Sequence, residues 1–166
     1  MSGNAKVLPY GTFPHPPSHL FRDYLDGAPG VRPFYVDGAR WDDDALVASA
    51  DRVRAATRPL AAVTEALARQ QEGREASAAA ANARRLTQDG ALAIVTGQQP
   101  VVFGGPLFVL YKALAAISTA ERMEQHLGAP VVPVFWVASD DHDFAEIRSV
   151  TVIDEAGVLR TLRYAP

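Results

Sequence analysis

The chain has 166 residues, 48% hydrophobic and 21% charged, with 16 basic against 19 acidic side chains and a net charge of −3. That length accommodates one domain and excludes three, and that balance excludes wholesale disorder. Cysteine is absent and no apolar run approaches the roughly 18 residues of a membrane span, so neither a thiolate site nor a bilayer anchor is expected.

The first 40 residues are rich in Pro and Gly. Lys6 is followed by Pro9, Pro14, Pro16 and Pro17 without an apolar run, so no secretory signal is expected. One short helix fits there, capped by Ser18 and using Leu20, Tyr24 and Leu25 as apolar contacts. His15 and His19 in this arm read as exposed, and Trp41 as a packing anchor. Fifteen alanines then fall between Ala45 and Ala83, which favours helix by propensity alone. Asp42 or Asp43 caps a first helix carrying Leu46, Ala50 and Val53. Pro59 opens a second carrying Leu60, Val63 and Leu67, and Gly73 separates it from a third over residues 74–88, ended by Gly90.

After Gly90 the pattern changes. Ala91-Leu92-Ala93-Ile94-Val95 suits a strand buried on both faces, and Val131-Val132-Pro133-Val134-Phe135-Trp136-Val137 suits a second, with Trp136 in the core. Between them runs a helix closing near Gly128, with Leu107, Leu110, Tyr111, Leu114 and Ile117 on one stripe. Strand, helix, strand predicts a parallel pair with a right-handed crossover. Residues 150–153 and 158–164 predict a β-hairpin across Asp154-Glu155-Ala156-Gly157. The expected division is a helical region over residues 1–90 and the first part of an α/β domain over 91–166.

Two loops follow the two strands, and in an open α/β sheet the ligand crevice lies at the strands' carboxyl ends. The first, residues 96–106, contains Gly97, Gly104 and Gly105, which let a ligand approach the backbone, and Gln98 and Gln99, which offer neutral donors and acceptors. Pro106 fits as the first residue of the helix, whose N-terminus favours an anion. The pattern is neither a Walker loop nor GxGxxG; a plain tight turn is the alternative. Lys112 either reaches the ligand or snorkels along the surface.

The second loop, Ala138-Ser139-Asp140-Asp141-His142-Asp143-Phe144, holds three carboxylates and an imidazole within four residues. Such a group can hold an ammonium, move a proton through His142 or bind a divalent ion. Zinc fits poorly with one local histidine and no cysteine. The alternative is a solvated turn in which Asp140 or Asp143 caps the next helix. His126 reads as a surface residue facing a helix C-terminus. Residues 1–90 carry 11 basic and 11 acidic side chains and residues 91–166 carry 5 and 8, opposite in sign to a nucleic-acid face.

These residues also carry a resemblance. Thr96-Gly97-Gln98-Gln99-Pro100, Phe103-Gly104-Gly105-Pro106-Leu107, Tyr111-Lys112-Ala113 and the run from Pro130 to Phe144 closely resemble the BshC family of bacillithiol synthases, a family of cysteine ligases. The resemblance implies a Rossmann-like parallel sheet core, similar to class I aminoacyl-tRNA synthetases, preceded by a helical N-terminal region. It implies a cytoplasmic enzyme that joins cysteine to the amine of glucosaminyl malate, the last step to a low-molecular-weight thiol. The second loop is similar to the Gly-x-Asp-x-His-Gly segment of some synthetases, with Asp143 at the closing glycine position, while residues 98–106 replace the HIGH-type signature.

On this reading His142 and Asp141 are catalytic. Gly97, Gln98, Gln99, Gly104, Gly105, Lys112, Ser139 and Asp140 bind substrate or nucleotide, and no metal ligand is assigned. A carboxylate does not react with an amine at neutral pH, so cysteine must be activated as a phosphate or adenylate, which makes ATP or ADP the candidate cofactor. Expected partners are small molecules, with neither nucleic acid nor membrane; a homodimer of the full-length protein stays open. Members of the family are much longer, so the 166 residues are expected to be an inactive N-terminal portion. Two alternatives stay open: a nucleotidyltransferase-like enzyme on another amine or acid, and a non-catalytic helical interaction fragment.

Overall fold

The computed structural model describes residues 9–35, 42–56, 60–74, 77–140 and 143–165. The chain divides into two compact units, Met1–Ala55 and Ala56–Pro166. In the first, helix α1 (His19–Leu25) starts where the Ser18 hydroxyl accepts the Phe21 N–H, satisfying one of the donors that a helix start leaves open. Leu20 does not pack as its apolarity suggests and is exposed. The rings of Tyr10, Phe13 and Phe21 meet beside α1, and Tyr24 meets Tyr35. Helix α2 (Asp43–Ala55) begins with the Ala45 N–H donating to Asp42 Oδ1, and Ala50 is its buried residue. Trp41, Pro59 and Lys6 lie outside the described residues.

The second unit carries α3 (Leu60–Glu72), α4 (Ser77–Arg85), strand β1 (Leu92–Gln98), α5 (Leu107–Leu127), β2 (Val131–Val137), a single turn α6 (Phe144–Ile147), β3 (Ser149–Ile153) and β4 (Leu159–Arg163). Small residues (Thr64 and Ala68 on α3, Ala80 and Ala83 on α4) are the buried positions of the two helices, which pack together. A Glu72–Arg84 ion pair joins the pair. β1 and β2 run parallel in the expected order, from Leu92 opposite Val131 to Gln98 opposite Val137. β3 and β4 form the expected antiparallel hairpin, and Asp154 stabilises its turn by accepting the Ala156 and Val158 N–H groups and the Arg160 guanidinium.

Three features differ from the sequence pattern. The glycine segment does not begin as a loop: residues 96–98 continue β1. The strands are not buried on both faces throughout; Val131 and Val132 are buried, but Val95 and Trp136 are each 62% exposed, so Trp136 is not core. The leucine stripe of α5 also faces outward, with Leu107 63% and Tyr111 62% exposed, while Ala116, Ala120 and Met123 are buried. The physical reason is size. A helix approaches a sheet closely through small residues, and α5 uses its Ala/Met face, with Ala120 fully buried. In a strand–helix–strand crossover the last turns of the helix lie over the first residues of the strands. Burial is therefore concentrated there, and the carboxyl ends stay open.

Glu124 ties three elements together near that buried end. Its carboxylate accepts from the Arg85 guanidinium of α4 at 2.5 Å and from the Val131 N–H of β2 at 3.1 Å, and its carbonyl accepts the Gly128 N–H that closes α5. The Arg85 hydrogen bond, helped by the Val131 N–H, holds its carboxyl below the ordinary value of 4.5. The ionised form is thus favoured by folding, so its stabilisation is complete above about pH 4.5 and is lost as pH falls through the lowered folded value. Glu124→Gln should cost about 1 kcal/mol at pH 7, because the side chain is partly exposed. In urea titrations the gap between the two proteins should narrow as pH falls below 4.5; a gap unchanged down to the acid limit would assign the effect to packing.

Candidate active site

The in-register parallel pairing sets the geometry of the site. Gln98 stands opposite Val137, and the ladder ends with the Ala138 N–H donating to the Gln98 carbonyl at 3.0 Å. The segments after β1 and β2 therefore leave the sheet side by side. Gly97, Gln98 and Gln99 lie at one strand end, and Ser139 and Asp140 follow the other. Asp141 and His142, the two residues assigned to catalysis, lie outside the described residues.

Gly97 answers a packing requirement. A Cβ there would stand 2.9 Å from the Trp136 carbonyl oxygen and 3.2 Å from its Cβ, so a side chain would push the strands apart. Lys112 does not snorkel to solvent. Its Nζ donates to the Gly97 carbonyl and to Gln98 Oε1, each at 3.0 Å, and lies 5.2 Å from the Phe108 ring centre. One ammonium thus fixes the end of β1 and orients the Gln98 amide.

The chain then turns through three consecutive positive-φ residues, Phe103 (54°), Gly104 (81°) and Gly105 (71°). Phe103 holds this conformation without glycine's freedom, a local strain of about 1 kcal/mol or more. Pro106 is not the first helical residue; it is the N-cap, with ψ 155°, and the helix begins at Leu107. Pro106 supplies no side-chain cap, and the Leu107 and Phe108 N–H groups have no partner among the described residues. Beside this turn lies a cavity of about 400 Å³, lined by apolar side chains including Phe103, Leu110 and Phe135.

In the second loop, Asp143 takes the capping role: its Oδ1 accepts the Ala145 N–H at 2.9 Å at the start of α6. Asp140 has no hydrogen-bond or ion-pair partner among the described residues. Among the described residues no three His, Asp or Glu side chains gather closely enough to hold a metal ion, and no helix is long and apolar enough to cross a membrane.

A larger cavity of about 660 Å³ adjoins this loop. It is bounded by α3, α4 and β2 and reaches Ser139 and Asp140. Gln70, Gln71 and Arg74 line it, and the motif-based reading missed all three. They sit more than 60 residues before the acidic loop in an alanine-rich stretch, where nothing in the local pattern separates a site arginine from a solvated one.

Residues 7–165 match the family model described as "Bacillithiol biosynthesis BshC, N-terminal Rossmann-like domain". A relative from Heliobacterium modesticaldum named "Putative cysteine ligase BshC" is 49% identical over 53% of this chain and 16% of its own length. Proteins of the same name from Geobacillus kaustophilus and Geobacillus thermodenitrificans are each 35% identical, over 89% and 86% of this chain and 24% and 26% of their own lengths. The chain spans about a quarter or less of these relatives.

Gly105→Ala and Gly104→Ala should separate crowding from conformation in the turn. At Gly105 a Cβ would lie 2.6 Å from Val101 Cγ2, whereas at Gly104 it meets open space. The second substitution should cost about 1 kcal/mol for the positive φ alone, and the first about 2 kcal/mol or more. Denaturant midpoints of the two variants check the order; equal losses would mean that Val101 yields freely.

Proposed function

The chain belongs to the BshC family of bacillithiol biosynthesis, whose N-terminal Rossmann-like domain it carries, and we propose that its strand ends form part of a site joining the carboxyl of cysteine to the amine of glucosaminyl malate. The observation that carries this reading is the register itself, which opens the amide-rich segment and the acidic segment side by side.

The reaction would form one C–N bond at the activated cysteine carbonyl carbon and break that carbon's bond to a phosphate oxygen, releasing phosphate or AMP, and each segment has a job suited to its residue types. Asp140 or Asp141 holds the acceptor ammonium, which gives one proton to solvent to become a nucleophilic amine, and His142 takes the second proton as the C–N bond forms. Gln98, with its amide oriented by Lys112, and Gln99 position the malate or the sugar, while Ser139 offers a hydroxyl beside them. The open Leu107 and Phe108 N–H groups and the uncrowded Gly104 fit an anionic group at the start of α5. ATP or ADP is the nucleotide this reading implies, and ATP would supply the energy to convert the cysteine carboxylate into a phosphate or adenylate. We place the enzyme in the cytoplasm, where its small-molecule substrates are made, with homodimerisation belonging to the longer polypeptide.

Because the chain spans only about a quarter or less of these relatives, the 166 residues are proposed to be inactive by themselves. The test is to incubate a longer polypeptide carrying this domain with cysteine, glucosaminyl malate and ATP and to read the amide product by mass spectrometry. His142→Ala in that polypeptide should lower turnover about 100-fold or more. Near-normal turnover would remove the proton-transfer role, and absence of any amide product would leave a nucleotidyltransferase-like reaction on another amine or acid.

A further inference from the structure

The cavity between α3, α4 and β2 has a charge pattern that the loop residues alone do not explain. Four arginines are described on α3, α4 and the turn between them. Arg69 pairs with Glu65, Arg84 with Glu72 and Arg85 with Glu124. Arg74 has no acidic partner and makes no side-chain hydrogen bond among the described residues, and it lines the cavity. Asp140, likewise without a partner among the described residues, lines the same cavity. Among the described residues, the cavity wall thus carries one open cation and one open anion. Trp136, 62% exposed, presents a broad apolar surface there, and Gln70 and Gln71 add amide donors beside Arg74.

Opposite charges on one wall, with an aromatic face and amide donors, suit a ligand that carries carboxylate and ammonium groups on a ring-sized body. A guanidinium binds carboxylate through two parallel N–H donors, a stronger and more directional contact than a lysine provides. We propose that this cavity is the acceptor site of the ligation reaction, with Arg74 anchoring a carboxylate of the acceptor and Asp140 its ammonium. The inference rests on the ligase reading and adds the residues that select the acceptor. Free cysteine also carries both charges. The volume of about 660 Å³ is far more than a three-carbon amino acid fills and lies within the usual range for small-molecule sites, about 300–1,000 Å³.

The test uses calorimetric titration of the 166-residue chain with three probes: L-malate, glucosaminyl malate and L-cysteine. Arg74→Gln should weaken L-malate and glucosaminyl malate about 10-fold or more, with partial recovery in Arg74→Lys. Asp140→Asn should weaken glucosaminyl malate and leave L-malate, which has no amine, within about twofold. L-cysteine affinity should not depend on Arg74. Malate binding indifferent to Arg74→Gln in a variant with an unchanged denaturation midpoint would overturn the proposal. So would an Arg74-dependent loss confined to cysteine. In the longer polypeptide, Arg74→Gln should raise KM for the acceptor about 10-fold with little change in kcat. Amide formation with KM unchanged would sink the acceptor site and leave the ligase intact. Arg74-dependent malate binding without amide formation would keep the site and sink the ligase.

Discussion

The constraint on which the second unit depends is the parallel pairing of β1 with β2. Parallel neighbours cannot be joined by a tight turn, so the chain must cross back through α5 before β2 can begin. Both strands then end at the same edge of the sheet. Gln98 and Ala138 therefore leave the sheet side by side, each leading into one of the two most unusual segments of the sequence. The Glu124 carboxylate holds the opposite end of the arrangement by joining α4, α5 and the first residue of β2.

The two ends have different burial, and that difference serves the site. Alanines and one methionine allow α5 to approach the first residues of the strands. Toward the carboxyl ends the contacts loosen and Trp136, Val137 and Phe135 are open to solvent. A site needs open backbone and reachable side chains, and the sheet supplies them where its packing is least complete. The strained Phe103 turn belongs to the same region; backbone strain persists where surrounding structure holds it in place.

Much of this organisation was legible in the residues. The apolar run from Ala91 to Val95, the β-branched run from Val131, and the turn residues at Gly73, Gly90 and Gly128 placed the elements in order. Ser18 announced its helix start, and Asp42 was one of the two aspartates that marked the next. The sheet's true length was not legible, because Thr96, Gly97 and Gln98 look like loop residues until their partners Phe135, Trp136 and Val137 are known. The covered face of α5 was not legible either: periodicity picks out the stripe from Leu107 to Ile117, and only packing against the sheet shows that Ala116, Ala120 and Met123 are inside. At the site, motif and spacing marked the glycine and acidic segments. The commitment of Lys112 to β1, the capping role of Asp143 and the place of Arg74 beside Asp140 depend on tertiary contacts between distant segments.

The tethering of Lys112 changes what kind of positive charge the strand end offers. A free lysine head sweeps a wide volume and attracts anions diffusely, with a pull that added salt readily weakens. An ammonium already sharing two of its three protons with Gly97 and Gln98 keeps one N–H for an incoming oxygen, in a direction set by the other two. The edge of this sheet therefore presents a single aimed donor in place of a mobile cation, and its selectivity is one of angle more than of charge.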